Sequence, residues 1–219
     1  MSAAPLLALA VVISGRGGNM AAIARACASG QIAARIVRVI ADRPGAGGIA
    51  LAQQLGLQLK LVPAGEFADR EAFEAALRAA IEASGAQLVV LAGFMRILSA
   101  QFTQHYAGAL LNIHPSLLPK YPGLHTHRRA LEAREQVHGA SVHFVTQELD
   151  AGPIVLQARV PVLAGDTAAS LSARVQQQEH IIYPKVIGWI AAGRLQCVNK
   201  LLKFDGRCLD QPLLEGCTS

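Results

Sequence analysis

Leu6-Leu7-Ala8-Leu9-Ala10-Val11-Val12-Ile13, followed by Ser14-Gly15-Arg16-Gly17-Gly18-Asn19 and a helical pattern from Met20 to Ser29, is the passage that decides the fold. An unbroken apolar run ending in glycine reads as a strand buried on both faces, as in parallel sheets. It resembles a signal-peptide core in length only. No positive charge separates it from Met1, and it leads straight into a loop. The helix stops at Gly30, a C-cap residue, which completes one strand–loop–helix unit. The unit repeats. Arg35–Ala41, Gln58–Val62, Leu88–Ala92 and Leu110–Ile113 read as further strands. Ile49–Leu55, Arg70–Ala83 and Ser99–His105 read as the helices between them. In the second of these, Phe73, Ala76, Leu77, Ala80 and Ile81 form one apolar stripe. Such alternation predicts an α/β chain with a parallel sheet covered by helices on both faces.

The second half changes character. Ser141–Thr146 alternates like a half-exposed strand, and Ile154–Val162 follows the Gly152-Pro153 turn with no helix between. Two strands so close suggest an antiparallel or mixed addition to the sheet. The expected sheet is therefore mixed, mostly parallel, twisted and of about seven strands. A helical pattern then runs from about Thr167 to Ala192, and Pro184 inside it is expected to kink or split it. The tail from Leu195 is expected to add an edge hairpin around Asp205-Gly206. There is no internal repeat, low-complexity tract or linker, so residues 1–219 read as one domain.

Bulk composition narrows the function. Of 219 residues, 52% are hydrophobic and 16% charged, which excludes a disordered chain. The net charge is +5, but the twenty Lys and Arg are scattered, so the clustered footprint of a nucleic-acid binder is missing. No run approaches the roughly 18 apolar residues of a membrane helix. Cys27, Cys197, Cys208 and Cys217 form no C-x-x-C pair, which points to a reducing, cytoplasmic setting and not to a disulfide framework.

Asn112-Ile113-His114-Pro115 carries the chemistry. In an extended chain Asn112 and His114 share one side while Ile113 faces the core, and Pro115 ends the strand. With Asp150, in Glu148-Leu149-Asp150-Ala151-Gly152, these residues offer an amide donor, an imidazole and a carboxylate. Those groups can hold an oxyanion and move a proton without metal or covalent catalyst. Spacing alone equally allows a polar strand end and a turn-forming Asp. The glycine loop at Gly17, Gly18 and Asn19 suits a single phosphate at a helix start. It is no P-loop, and Met20 occupies the third glycine position of a dinucleotide fingerprint. Asp42, after the second strand, mimics the ribose-binding acid of nicotinamide enzymes and keeps that oxidoreductase reading open. A catalytically silent binding module would be expected to lack Asn112, His114 or Asp150. His114, His125, His127 and His143 lack metal-ligand spacing, so no metal is expected. Gly-x-Ser-x-Gly is absent. Gln176, Glu179 and His180 share a helix face that, from spacing alone, reads as solvated.

Asn112-Ile-His-Pro-Ser-Leu-Leu-Pro-Lys-Tyr-Pro-Gly-Leu-His-Thr-His127 resembles the signature of the phosphoribosylglycinamide formyltransferases, folate-dependent enzymes of purine synthesis. Val90–Leu98, Gly139–Val145 and Arg174–His180 support it, and the likeness runs from about Leu9 to Leu195. The Asn-x-His-Pro-Ser-Leu-Leu-Pro core also resembles methionyl-tRNA formyltransferase and formyltetrahydrofolate deformylase. Deformylase or another folate-dependent formyl transfer is therefore the alternative reading. The resemblance implies the formyltransferase fold with a Rossmann-like N-terminal half. It implies N10-formyltetrahydrofolate as donor co-substrate, glycinamide ribonucleotide as acceptor, no metal, no nucleic acid or membrane partner, and a monomer or homodimer. It also implies roles. Asn112 and His114 would stabilise the oxyanion, and Asp150 would hold His114 protonated and shuttle a proton. Gly17, Gly18, Asn19, Gln176 and Glu179 would hold the acceptor. Arg70, Met95, Arg96, Ile97, Leu98, Asn112, Thr146, Gln147, Glu148, Leu149 and Asp150 would contact the folate. Residues to about 105 would bind phosphate, and 106–195 would carry catalysis and folate binding. The tail 196–219, with Cys208 and Cys217, matches nothing. Arg16 and Ala151 depart from the family pattern; the first is expected to be uncharged and the second glycine.

Overall fold

The computed structural model describes residues 5–216; Cys217 lies outside them. Strands β1 (Leu7–Ile13), β2 (Ala34–Ala41), β3 (Leu59–Leu61), β4 (Leu88–Leu91) and β5 (Leu110–His114) pair in parallel. Strands β6 (Val137–Phe144) and β7 (Ile154–Pro161) continue the sheet antiparallel, and β11 (Leu213–Leu214) pairs parallel to β7 at the edge. The order is β11-β7-β6-β5-β4-β1-β2-β3. The expected mixed, mostly parallel sheet is thus borne out, with eight strands, the eighth a two-residue segment of the tail.

Alternation along β1 builds two cores. Leu9, Val11 and Ile13 pack with Met20 and Ile23 of helix α1 (Gly18–Ala28) and with Val175 and Ile182 of helix α6 (Ala168–Ala191). Ala10 and Val12 face the other side, against Phe73 and Leu77 of α3 (Arg70–Glu82) and Phe102 of α4 (Ala100–His105). A large side chain so buried contributes about 1.5–3 kcal/mol. Packing of this kind decides whether α1 forms, since its start carries no side-chain cap.

Strand order reverses at β1, which has β2 on one side and β4 on the other. Loops leaving the carboxyl ends of β1 and β4 diverge there, and open α/β sheets bind ligands in such crevices. Fully buried Tyr183 of α6 ties the crevice floor together. Its hydroxyl lies 2.9 Å from the Leu91 carbonyl of β4 and 3.0 Å from the Leu111 carbonyl of β5.

Four local expectations are refined. Helix α6 runs unbroken through Pro184. The ring removes one backbone hydrogen bond, but buried Ile182, Tyr183, Val186 and Ile187 pin the helix on both sides of it. Strand β6 starts at Val137, four residues before the alternating stretch. A Cβ at Gly139 would fall 1.9 Å from the Ala158 carbonyl oxygen, so the residue that looks like a breaker permits the close strand pair. Thr126–Glu132 forms helix α5, in a stretch to which the sequence reading assigns no element. It lacks a capping signature because its N-cap, His125, has φ 60° and no side-chain cap bond. The tail hairpin turns at Asp205 and Gly206, both at positive φ. It belongs to a separate three-stranded sheet of β8 (Leu195–Val198), β9 (Leu201–Phe204) and β10 (Arg207–Cys208). Between α1 and α3, helix α2 (Gly48–Gln54) packs beside the glycine loop.

Candidate active site

The carboxyl ends of β1, β4 and β5 open into a cleft of about 650 Å³. Asn112, His114, Asp150, Gly17, Gly18, Asn19, Gln176, Glu179, Met95–Leu98 and Thr146–Asp150 all line it. Arg70 does not. It lies in an adjoining depression that shares Met95, Arg96 and Ile97 with the cleft wall.

Antiparallel pairing of β5 with β6 sets Asn112 opposite His143 and His114 opposite Ser141. Asn112 Nδ2 donates to His143 Nε2 at 3.0 Å, and His143 Nδ1–H donates to the Phe144 carbonyl at 3.1 Å. This network assigns His143 as the neutral Nδ1–H tautomer. Burial pushes its pKa down to about 4, against the opposing pull of the Phe144 carbonyl and Asp150. The 3.7 Å approach of His143 Nε2 to Asp150 is therefore not an ion pair near neutrality. A fixed acceptor at His143 decides which way the Asn112 amide points and leaves its second N–H free for the cleft.

The His114 ring is held at both nitrogens. Nε2–H donates to the Tyr121 carbonyl at 2.9 Å, and Nδ1 lies 3.4 Å from Asp150 Oδ2. Their side chains are only 7% and 9% exposed, so the pair sits where charges attract more strongly than in water. Asp150 itself has φ 52°, a left-handed conformation that Asp tolerates better than most residues. It is held there by Gly123 N–H, which donates to Oδ2 at 2.8 Å. Ala151 is not among the positive-φ residues, so alanine fits where glycine was expected. Gly152 is the constrained position, because a Cβ there would fall 1.9 Å from the Phe144 carbonyl oxygen.

At the other end of the cleft, α1 begins behind Gly17, at φ 81°. A Cβ on Gly17 would lie 2.8 Å from Gly48 Cα, so only glycine lets the loop pack on α2. Gly48 N–H donates to the Gly15 carbonyl at 2.9 Å and fixes the loop. The first-turn N–H groups of α1 have no side-chain cap, which leaves a ready anion cradle. Arg16 is exposed, and it too lines the cleft. Helix α6 closes the cradle. Asn19 Nδ2 donates to Glu179 Oε2 at 2.8 Å, while Asn19 Oδ1 is buried without a partner. Glu179 is buried, which raises its pKa, and the Asn19 amide partly opposes the rise. The solvated-face reading therefore fails for Glu179, because α6 folds back over α1. Gln176 Nε2 sits close by, 3.4 Å from where a Gly18 Cβ would stand.

The walls between these ends are apolar. Met95, Ile97, Leu124 and Leu149 are each more than half exposed, yet all line the cleft. Exposed large apolar groups gathered at a crevice mark a ligand surface. Asp42 does not line the cleft. Its carboxylate is occupied by Arg96 Nε at 2.7 Å, which removes the ribose-binding acid from the oxidoreductase reading. Sequence reasoning missed His143 and the Tyr121 carbonyl. His143 was legible in principle, since Ser141 and His143 repeat on β6 the i, i+2 pattern of Asn112 and His114. The Tyr121 carbonyl carries no signal in a sequence. Among the described residues no group of three or more His, Cys, Asp or Glu could hold a metal, and no helix is long and apolar enough to cross a membrane.

A family profile described as formyl transferase matches residues 7–187. Phosphoribosylglycinamide formyltransferase of Escherichia coli (strain K12) is 52% identical over 201 residues, covering 92% of this chain and 95% of that protein. The human trifunctional purine biosynthetic protein adenosine-3 is 40% identical over 188 residues, 86% of this chain but 19% of that protein. The solved phosphoribosylglycinamide formyltransferase of Coxiella burnetii superimposes with a TM-score of 0.90 at 46% identity, covering 95% of this chain and 99% of that one.

Proposed function

The chain belongs to the formyl transferase family, and we propose that it moves the formyl group of N10-formyltetrahydrofolate onto the amine of 5'-phosphoribosylglycinamide. One observation carries the choice of acceptor. The uncapped α1 start, with Asn19 and Glu179 beside it, shares a single cleft with Asn112, His114 and Asp150. A phosphorylated acceptor can span the two ends, and the exposed apolar wall between them suits a folate donor.

The acceptor amine attacks the formyl carbon. A C–N bond forms and the carbonyl π pair becomes an oxyanion. Protonated His114 and the free N–H of Asn112 stabilise that charge. The tetrahedral centre collapses, the bond to N10 breaks, and N10 takes a proton while the amine loses one. Asp150 keeps His114 protonated and carries the released proton. Gly17, Gly18 and Asn19 hold the acceptor phosphate, Gln176 and Glu179 the rest of the acceptor, and Met95–Leu98, Thr146–Leu149 and Arg70 the donor. Residues to about 105 then serve mainly phosphate binding, and 106–195 catalysis and donor binding.

The test is direct. Purified protein mixed with both substrates should release tetrahydrofolate and formylglycinamide ribonucleotide in equal amounts. Release of formate instead, indifferent to the acceptor, would favour the deformylase alternative. Activity should also survive exhaustive EDTA treatment and dialysis, because no step uses a cation. Loss restored specifically by zinc would make the cleft histidines ligands.

A further inference from the structure

We propose that Asp42 is a positioning residue that aims the Arg96 guanidinium at a carboxylate of the folate donor. The proposal rests on the donor reading above. Asp42 follows β2, and its side chain is 3% exposed. Main-chain bonds already fix its backbone: its N–H donates to the Ile13 carbonyl at 3.2 Å, and its carbonyl accepts from Ala64 N–H at 2.8 Å. The carboxylate is not needed to hold that chain exit. One oxygen accepts from Arg96 Nε at 2.7 Å, and the other is buried with no partner. A pair kept for stability alone would satisfy both oxygens, since a buried, half-satisfied carboxylate is costly. This one does something different. A grip on Nε leaves the Nη edge of the guanidinium free, and that edge forms a planar fork suited to a carboxylate.

The surroundings show which spaces Arg96 adjoins. Arg96 lines both the cleft and the adjoining depression, and its guanidinium carbon lies 5.6 Å from the Phe73 ring centroid. Neither Nη is hydrogen-bonded within the described residues. The depression also holds Asp69, Glu74 and Arg70. Both acids are committed: Asp69 accepts from Ala72 N–H at 2.8 Å, and Glu74 accepts from Ser99 N–H at 2.7 Å. The Nη edge of Arg96 and the Arg70 guanidinium have no hydrogen-bond partner within the described residues. The depression thus sets two guanidinium groups beside two carboxylates over an aromatic floor, and it is continuous with the cleft through Met95, Arg96 and Ile97. A carboxylate of the donor can accept from the unpaired guanidinium edges. Met95 N–H donates to Ser14 Oγ at 3.1 Å, so the same wall is also tied to the start of the glycine loop.

The test is steady-state kinetics on Asp42→Ala and Asp42→Asn, each checked for an unchanged melting temperature. Asp42→Ala should raise the donor KM about tenfold, the effect of one charge-assisted hydrogen bond, with kcat and acceptor KM within about twofold. Asp42→Asn keeps a carbonyl acceptor for Nε and should recover most of the loss. A donor analogue lacking the glutamate carboxylates should bind wild type and Asp42→Ala alike. Equal rises in both KM values, or the same penalty with the truncated donor, would make Asp42 a merely structural residue and overturn the proposal. Lack of formyl transfer by the wild-type protein would instead sink the functional reading on which it rests.

Discussion

Asp150→Asn is expected to lower kcat about a hundred- to a thousandfold, the usual loss when one preorganised charge-stabilising group is removed, with little change in either substrate's affinity. The substitution is unusually clean here. Asn tolerates the left-handed φ of 52° as well as Asp does, and its amide oxygen can still accept from Gly123 N–H. The loop should therefore keep its shape while the charge beside His114 Nδ1 disappears. That charge matters most when the formyl oxygen becomes negative, so the effect falls on the transition state and spares the ground state. The decisive measurement is the double variant. His114 and Asp150 act as one unit in this mechanism, so His114→Ala on top of Asp150→Asn should cost far less than the product of the single losses. Fully multiplicative losses would separate the two residues and reduce Asp150 to a turn former.

That pairing also marks how far the sequence could be read. The alternation of apolar runs and helical stripes was sufficient for the parallel half, because period and burial are local properties. Asn112 and His114 were legible for the same reason: an i, i+2 pair before a proline has one geometry. Asp150 was visible only as a lone acid after a strand. Its distance to His114 depends on the return of β6 beside β5 and on a loop held by Gly123, both long-range facts. The Glu179 face was misjudged from spacing because a helical wheel does not say which element folds back over it; here α1 does, through Asn19. Asp42 was read as a ribose acid because its position after β2 is right for one. Arg96, 54 residues away, takes its carboxylate instead. Helix α5 was missed because its start depends on a left-handed His125 and carries no capping side chain.

Gly17→Val should raise the acceptor KM roughly a hundredfold, the loss of about two charge-assisted hydrogen bonds, while donor affinity stays within about twofold. Two strains act together. A β-branched residue at φ 81° is a genuine outlier, and its Cβ would stand 2.8 Å from Gly48 Cα. The loop must shift away from α2, and the first N–H groups of α1 then no longer converge on one point. A bound phosphate depends on that convergence, because the helix start supplies both the donors and the favourable dipole. The donor wall at Met95–Leu98 follows β4 and should feel little of this. Gly45→Val is the matched control. Gly45 has no positive φ, and a Cβ there meets nothing within 4 Å, so a valine in the loop before α2 should leave both constants near wild type. In the wild-type protein, inorganic phosphate should compete with the acceptor and not with the donor, and Gly17→Val should weaken that inhibition in parallel with the acceptor KM. Equal loss of donor and acceptor affinity in Gly17→Val would mean that the glycine holds the sheet and helices together rather than cradling an anion, and the acceptor phosphate would then have to be sought elsewhere in the cleft.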